Sequence, residues 1–241
     1  MTTSTPAAPR IAAQVFVEDP EHPELDDDDR HHLVRVLRLG VGECVVAADG
    51  RGRSVICRFT GTGSLLEPDG PATRTERPTP LLTVAFAPVK GDRPDWVVQK
   101  LTELGVDRIV PLVTERAVVR WSGGRADKAV ERLRKVAREA AAQSRRAWLP
   151  QVAEPVALGA LRDGLLRAGV GLALAERGGK APSLDWPAIA VGPEGGWGDT
   201  ERGLGLPPVG LGDTVLRAET AAVAAAALLA GLRARVVGPA P

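Results

Sequence analysis

Val191-Gly192-Pro193-Glu194-Gly195-Gly196-Trp197-Gly198 and, a little further on, Leu211-Gly212-Asp213-Thr214-Val215-Leu216-Arg217-Ala218-Glu219-Thr220-Ala221 are the two stretches on which the reading of this chain turns. The first closes an apolar run, Ala188-Ile189-Ala190-Val191, which predicts a short buried strand ending in a sharp glycine turn. The second leads straight into residues 220–232, alanine-rich and of high helix propensity. It therefore sets several backbone N–H groups and Arg217 at a helix N-terminus. Neither stretch has the spacing G-x-G-x-x-G or G-x-x-x-x-G-K-[ST], which argues against a dinucleotide dehydrogenase or a P-loop ATPase.

Around these loops, strand and helix patterns alternate from residue 81 onward. Strands are expected over 81–87, 108–112, 171–175 and 188–191, and helices over 94–104 and 126–145 before the final one. That alternation predicts an α/β layer with a mostly parallel sheet. Residues 12–66 read differently. Short β-type runs at 15–17, 44–47 and 54–59 are separated by turns such as Asp49-Gly50-Arg51-Gly52, the pattern of a small β-rich domain. One helix is expected there, over 28–39, with Leu33, Val36 and Leu37 on one face and Asp28 or Asp29 as its N-cap. Residues 67–80, rich in Pro, Thr and charge, read as a linker.

Lys and Arg number 31 against 30 Asp and Glu, so the net charge of +1 says little about partners and the distribution of charge matters more. A basic surplus lies over residues 126–146, where Lys128, Arg132, Arg134, Lys135, Arg138, Arg145 and Arg146 outnumber Asp127, Glu131 and Glu139. This is either a phosphate-binding surface, with Arg145 and Arg146 its best candidates, or a solvated helix face laced by i to i+4 pairs. The polar beginning of the chain and its two cysteines, Cys44 and Cys57, read as cytoplasmic with reduced thiols. No apolar run reaches the roughly 18 residues of a membrane span. No C-x-x-C or H-x-x-x-H spacing joins His31 or His32 to the cysteines, so no metal is expected.

Taken with Lys90-Gly91, Gln99-Lys100-Leu101-Thr102-Glu103-Leu104-Gly105-Val106, Gln143-Ser144-Arg145 and His31-His32-Leu33-Val34-Arg35-Val36-Leu37-Arg38, the two loops resemble the SPOUT methyltransferases. Within them, the resemblance is to the RsmE-type small-subunit rRNA uridine N3-methyltransferases, and it runs from about Phe16 to Leu229. The chain departs from the pattern at Thr214, where many relatives carry a basic residue, and at Arg146. The resemblance implies a PUA-like RNA-binding domain over 1–72 and a methyltransferase domain over 73–241 with a C-terminal trefoil knot, in place of the unthreaded connections that are the physical default.

The cofactor so implied is S-adenosylmethionine, held by Ala175, Gly192, Glu194, Gly195, Leu211, Gly212, Leu216 and Arg217, with the glycines leaving ligand space against bare backbone. Uridine N3 is protonated at neutral pH, so its methylation needs a base or cationic stabilisation of the uridinate. Arg217 and Glu219 are the catalytic candidates, although Glu219 at a helix start paired with Arg217 has a purely structural reading too. Arg30, His32, Arg35, Arg38, Lys100, Arg145 and Arg146 are the RNA-binding candidates. The implied partners are 16S rRNA or the assembled small subunit, and a second copy of the chain packed through the alanine face of the last helix. Ribose 2′-O-methylation and non-catalytic RNA binding are the alternatives.

Overall fold

Asp49 turns the chain where its sequence predicts: its Oδ1 accepts hydrogen bonds from the backbone N–H groups of Arg51 (2.6 Å) and Arg53 (3.0 Å). The computed structural model describes residues 9–63, 65–117, 119, 121 and 123–238. Two units make up the chain, Met1–Arg77 with Ala141–Leu149, and Pro78–Ala140 with Pro150–Pro241.

In the first unit, β1 (Ile11–Phe16) pairs in parallel with β2 (Cys44–Ala48), and β2 pairs antiparallel with β3 (Arg53–Phe59) through the Asp49 turn. Two short strands, β4 (Leu66–Pro68) and β5 (Thr73–Arg74), then pair with β3. The stretch expected as a linker is thus partly sheet, because β3 offers an open edge and backbone groups that must be paired.

The helix expected over 28–39 is also corrected. It splits into α1 (Asp27–His31), capped by Asp26 rather than Asp28 or Asp29, and a π-helical turn over His32–Val36. The wider π turn rotates the side chains off a single 3.6-residue stripe, so Leu33 is buried while Val36 and Leu37 are exposed.

The second unit is a sheet of seven strands, all in parallel register, in the order β12-β10-β11-β6-β7-β8, with β9 also on β7. In chain order these are β6 (Thr83–Phe86), α2 (Arg93–Glu103), β7 (Arg108–Val113), α3 (Gly124–Gln143), β8 (Gln151–Val152), β9 (Val156–Ala157), α4 (Leu158–Arg167), β10 (Leu172–Lys180), β11 (Ala188–Val191), α5 (Asp199–Arg202), β12 (Pro208–Val209) and α6 (Ala218–Arg233). Every residue of β6 and β11 is buried, as expected where helices cover both faces of a parallel sheet. Val97, Val98 and Leu101 of α2 share one core with Ala222, Ala225, Ala226 and Leu229 of α6. Leu158, Leu161 and Leu165 of α4 share another with Trp197. Ala222, Ala225 and Ala226 of α6 are therefore spent on the chain's own core, while Ala227 of the same helix is exposed.

β10 meets β12 twice. Ala175 pairs with Val209, and Lys180 pairs with the same residue, while Gly210 N–H donates to Lys180 O (2.9 Å). The chain between bows around Val209 so closely that a Cβ on Gly179 would stand 2.6 Å from the Val209 backbone.

Candidate functional site

All strands of the second sheet run the same way, so the loops after β6, β10, β11 and β12 leave from one edge, the carboxyl edge where ligands of open α/β sheets bind. A cleft of about 120 Å³ opens there, lined by Ala175, Glu176 and Arg177 from β10, by Leu211, Gly212, Thr214, Val215 and Leu216 from the loop after β12, and by Ala221 of α6. Four of the residues named for the cofactor, Ala175, Leu211, Gly212 and Leu216, meet in it. Gly212 has φ +141°, and a Cβ there would project into open space. The lining is apolar and backbone-rich with two charged side chains at hand, the mixture that holds a nucleoside. That composition fits an adenosyl ligand.

The glycine loop of residues 192–198 packs closely against its own neighbours. A Cβ on Gly192 would meet the ring of Trp197 at 3.0 Å, and Trp197 is 2% exposed, so the space kept free is filled by tryptophan. On Gly195 a Cβ would abut Arg116, whose Nη1 donates to Gly195 O (3.3 Å). Glu201 of α5 braces the loop further: one carboxylate oxygen accepts from Gly198 N–H (2.7 Å) and the other from Glu115 N–H (3.0 Å). Gly192, Gly195, Glu194 and Arg217 are not among the residues lining the cleft. The bracing by Glu201 was legible, since an acidic residue at the third position of a helix is a capping signal.

Arg217 occupies the N-cap position of α6, exposed, and Glu219 lies in the first turn. They are not an ion pair. Glu219 instead faces Arg93 of α2, with Oε1 3.3 Å from Arg93 Nη1, while its Oε2 is buried with no hydrogen-bond partner. The Glu219 side chain is 12% exposed and that of Arg93 50%. Sequence reading missed Arg93, Glu176 and Arg177, because only the sheet order brings α2, α6 and the end of β10 to one edge.

Among the RNA-binding candidates, Arg30, His32, Arg35 and Arg38 are all exposed on the first unit, beside the exposed apolar side chains of Val34, Val36 and Leu37. Arg145 and Arg146 fall in the same unit, where the Arg145 guanidinium donates to Ile11 O (2.6 Å) and the Arg146 carbonyl accepts from Gln14 (2.8 Å). Lys100 pairs with Glu103 at 2.7 Å. Two basic residues of α3 are likewise engaged, Arg132 with Asp95 (3.1 Å) and Arg134 with Glu154 (2.8 Å), which weakens the phosphate reading of that helix.

Family models for an RNA methyltransferase domain and an RNA methyltransferase PUA domain match residues 75–230 and 25–65. The chain is 35% identical to the ribosomal RNA small subunit methyltransferase E of Synechocystis sp., over 84% of this chain and 70% of that protein. It is 33% identical to the Mycobacterium bovis protein of the same name, over 88% and 87% of the two chains. The solved structure of ribosomal RNA small subunit methyltransferase E from Neisseria gonorrhoeae, bound to S-adenosyl methionine, is similar with a TM-score of 0.73 and 27% identity, covering 91% of this chain and 97% of that one.

Proposed function

The chain belongs to the RNA methyltransferase family that joins this domain to a PUA domain, and from that we propose that it methylates N3 of a uridine in the 16S rRNA of the small ribosomal subunit. The observation that carries the reading is the meeting of Ala175, Leu211, Gly212 and Leu216 in one cleft at the carboxyl edge of the sheet, beside a helix that opens on Arg217 and Glu219. S-adenosylmethionine, when bound, supplies an electrophilic methyl group on its sulfonium.

The chain's own residues do the rest. Backbone groups of Leu211, Gly212 and Leu216 would hold the adenosyl part beside Ala175, and the braced loop carrying Gly192, Glu194 and Gly195 would supply further backbone contacts to it. Arg217, exposed at the helix start, stabilises negative charge on a uracil carbonyl oxygen. Glu219 takes the N3 proton. Arg30, His32, Arg35 and Arg38 bind RNA phosphates on the PUA-like unit, with Arg145, Arg146 and Lys100 as secondary contacts.

The same reading includes a trefoil knot, a homodimer and a cytoplasmic site of action. The double pairing of β10 around Val209 supports the knot. Val215, 76% exposed among the cleft residues, supports a second copy covering that region. Action on ribosomal RNA supports the location, and among the described residues no helix is long and apolar enough to cross a membrane.

N3 lies on the pairing edge of uracil, so a methyl group there blocks reverse transcription, whereas a ribose methyl leaves that edge intact. Primer extension over 16S rRNA treated with the protein and cofactor is expected to stop one nucleotide before a single uridine. Read-through accompanied by a ribose-methylated nucleoside would contradict the assignment.

A further inference from the structure

Three segments far apart in the chain meet beside the Asp49 turn. Gly52 N–H donates to Ala147 O (3.0 Å), Leu149 N–H to Gly50 O (2.9 Å) and Thr75 N–H to Gly52 O (2.7 Å), so residues 147–149 and 73–75 flank the hairpin tip. Arg51 and Trp148 pair across this join. The Trp148 indole is clamped there: its Nε1 donates to Thr75 O (3.0 Å), and a Cβ on Gly52 would stand 2.6 Å from its ring. The guanidinium carbon of the exposed Arg77 lies over that ring, 5.2 Å from its centre. All of these residues belong to the first unit.

The cations around the indole are left open. Arg51, Arg74 and Arg77 are exposed, and among the described residues no carboxylate pairs with any of them. Arg53, which faces Arg74 across β3 and β5, meets Glu21 at 3.1 Å. Of the nearby acids, Asp49 already accepts from two backbone N–H groups, which leaves Glu76. Like charges opposite each other on a sheet are destabilising, and a polyanion laid over them removes that cost.

A guanidinium seated on an indole keeps its outer plane for a further π system, and nucleotide bases stack on arginine planes as they do on aromatic rings. Unpaired bases can do this. Bases inside a duplex cannot, because both their faces are already covered. The phosphates on either side of such a base suit the charges of Arg51 and Arg74.

We propose that Arg51, Arg74, Arg77 and Trp148 form a second RNA-binding surface on the PUA-like unit, one that takes a single-stranded segment of the substrate RNA. One unpaired base stacks on the Arg77–Trp148 pair. Arg77 is the specificity-determining residue, since it reads an open base face, whereas the phosphate contacts assigned to Arg30, His32, Arg35 and Arg38 accept any RNA. The inference needs only an RNA substrate and is independent of the atom that receives the methyl group.

The probe is a single-stranded RNA of about 12 nucleotides, end-labelled and with 2-aminopurine distributed along it, alone or annealed to its complement. Anisotropy over a range of salt gives the affinity for each form, and quenching of 2-aminopurine reports stacking. No cofactor is added, so the readout does not involve methyl transfer. Wild type is compared with Arg77→Ala, Arg77→Lys, Trp148→Leu and the Arg51→Ala/Arg74→Ala double variant, each checked by thermal unfolding.

Arg77→Ala is expected to weaken single-strand binding about tenfold and to reduce the quench, with less than about a threefold change on the duplex. Arg77→Lys keeps the charge without the plane, so it retains the salt slope but loses the affinity and the quench. Trp148→Leu is expected to match Arg77→Ala. The double variant flattens the dependence on log salt by about 1 to 2 units and leaves the quench in place.

Arg77→Lys equal to wild type in affinity and quench, or equal losses on single strand and duplex, would overturn the proposal. Poly-glutamate that displaces the strand as readily as unlabelled RNA of equal charge would overturn it too, by making this a surface for acidic protein segments. If Trp148→Leu does not fold, the variants at the exposed Arg77 decide alone.

Discussion

Gly212 and Gly195 separate two reasons for a glycine. Gly212 lines the cleft at φ +141°, so Gly212→Val both strains the backbone by about 1–3 kcal/mol and fills ligand space. Calorimetry is expected to show loss of S-adenosylmethionine binding, and unchanged binding would remove the cleft from the account. At Gly195 an added methyl makes ordinary contact with Arg116, so Gly195→Ala is expected to bind cofactor normally. The sequence marked both positions as special but could not tell them apart, since which neighbour occupies the space is decided by Arg116 and Trp197 arriving from elsewhere in the chain. Cys57 makes a second residue-level test. Burial pushes its thiol up to about 11, so the neutral form persists in the native protein. Its contribution to stability is fully present below the usual thiol pKa and is lost as pH rises from there through about 11. Alkylation of Cys57 at pH 8 should be negligible until the protein is unfolded; rapid native labelling would contradict this.

α6 is the element that ties the C-terminus to the sheet. Its Arg233 donates to Pro80 O (3.2 Å), to Gly105 O (2.7 Å) and to the buried Asp107, whose carboxylate also accepts from Leu82 N–H (2.9 Å). Removing one member of such a pair leaves a buried charge without compensation. Asp107→Ala is expected to cost about 3–5 kcal/mol, read as a lowered urea midpoint, and a change under 1 kcal/mol, about the value of a surface pair, would count against it. The element types over 81–113 and 188–233 were legible because buried parallel strands and an alanine-rich helix have strong local patterns. The short strands β4, β5, β8, β9 and β12 were not, since two or three residues become strand only when a neighbouring edge supplies partners. The same distinction holds for the site: Leu211, Gly212 and Leu216 could be named from one loop, whereas Arg93 is set beside Glu219 only by the packing of α2 on α6.

For the molecule as a whole, the near-neutral charge of +1 conceals a basic group of exposed residues on the PUA-like unit. Arg35→Ala with Arg38→Ala is expected to weaken binding to small-subunit RNA and to flatten its dependence on log salt by about 1 to 2 units. An unchanged slope would remove these residues from the RNA interface. The account rests most heavily on the identity of the product, because the family shows an RNA methyltransferase while the atom that receives the methyl is what we propose. Purified protein should therefore be incubated with labelled S-adenosylmethionine and unmodified small ribosomal subunits, and the RNA digested for nucleoside mass spectrometry. Labelled N3-methyluridine is the predicted product; label on a ribose, on another base, or nowhere while the cofactor is bound would contradict it.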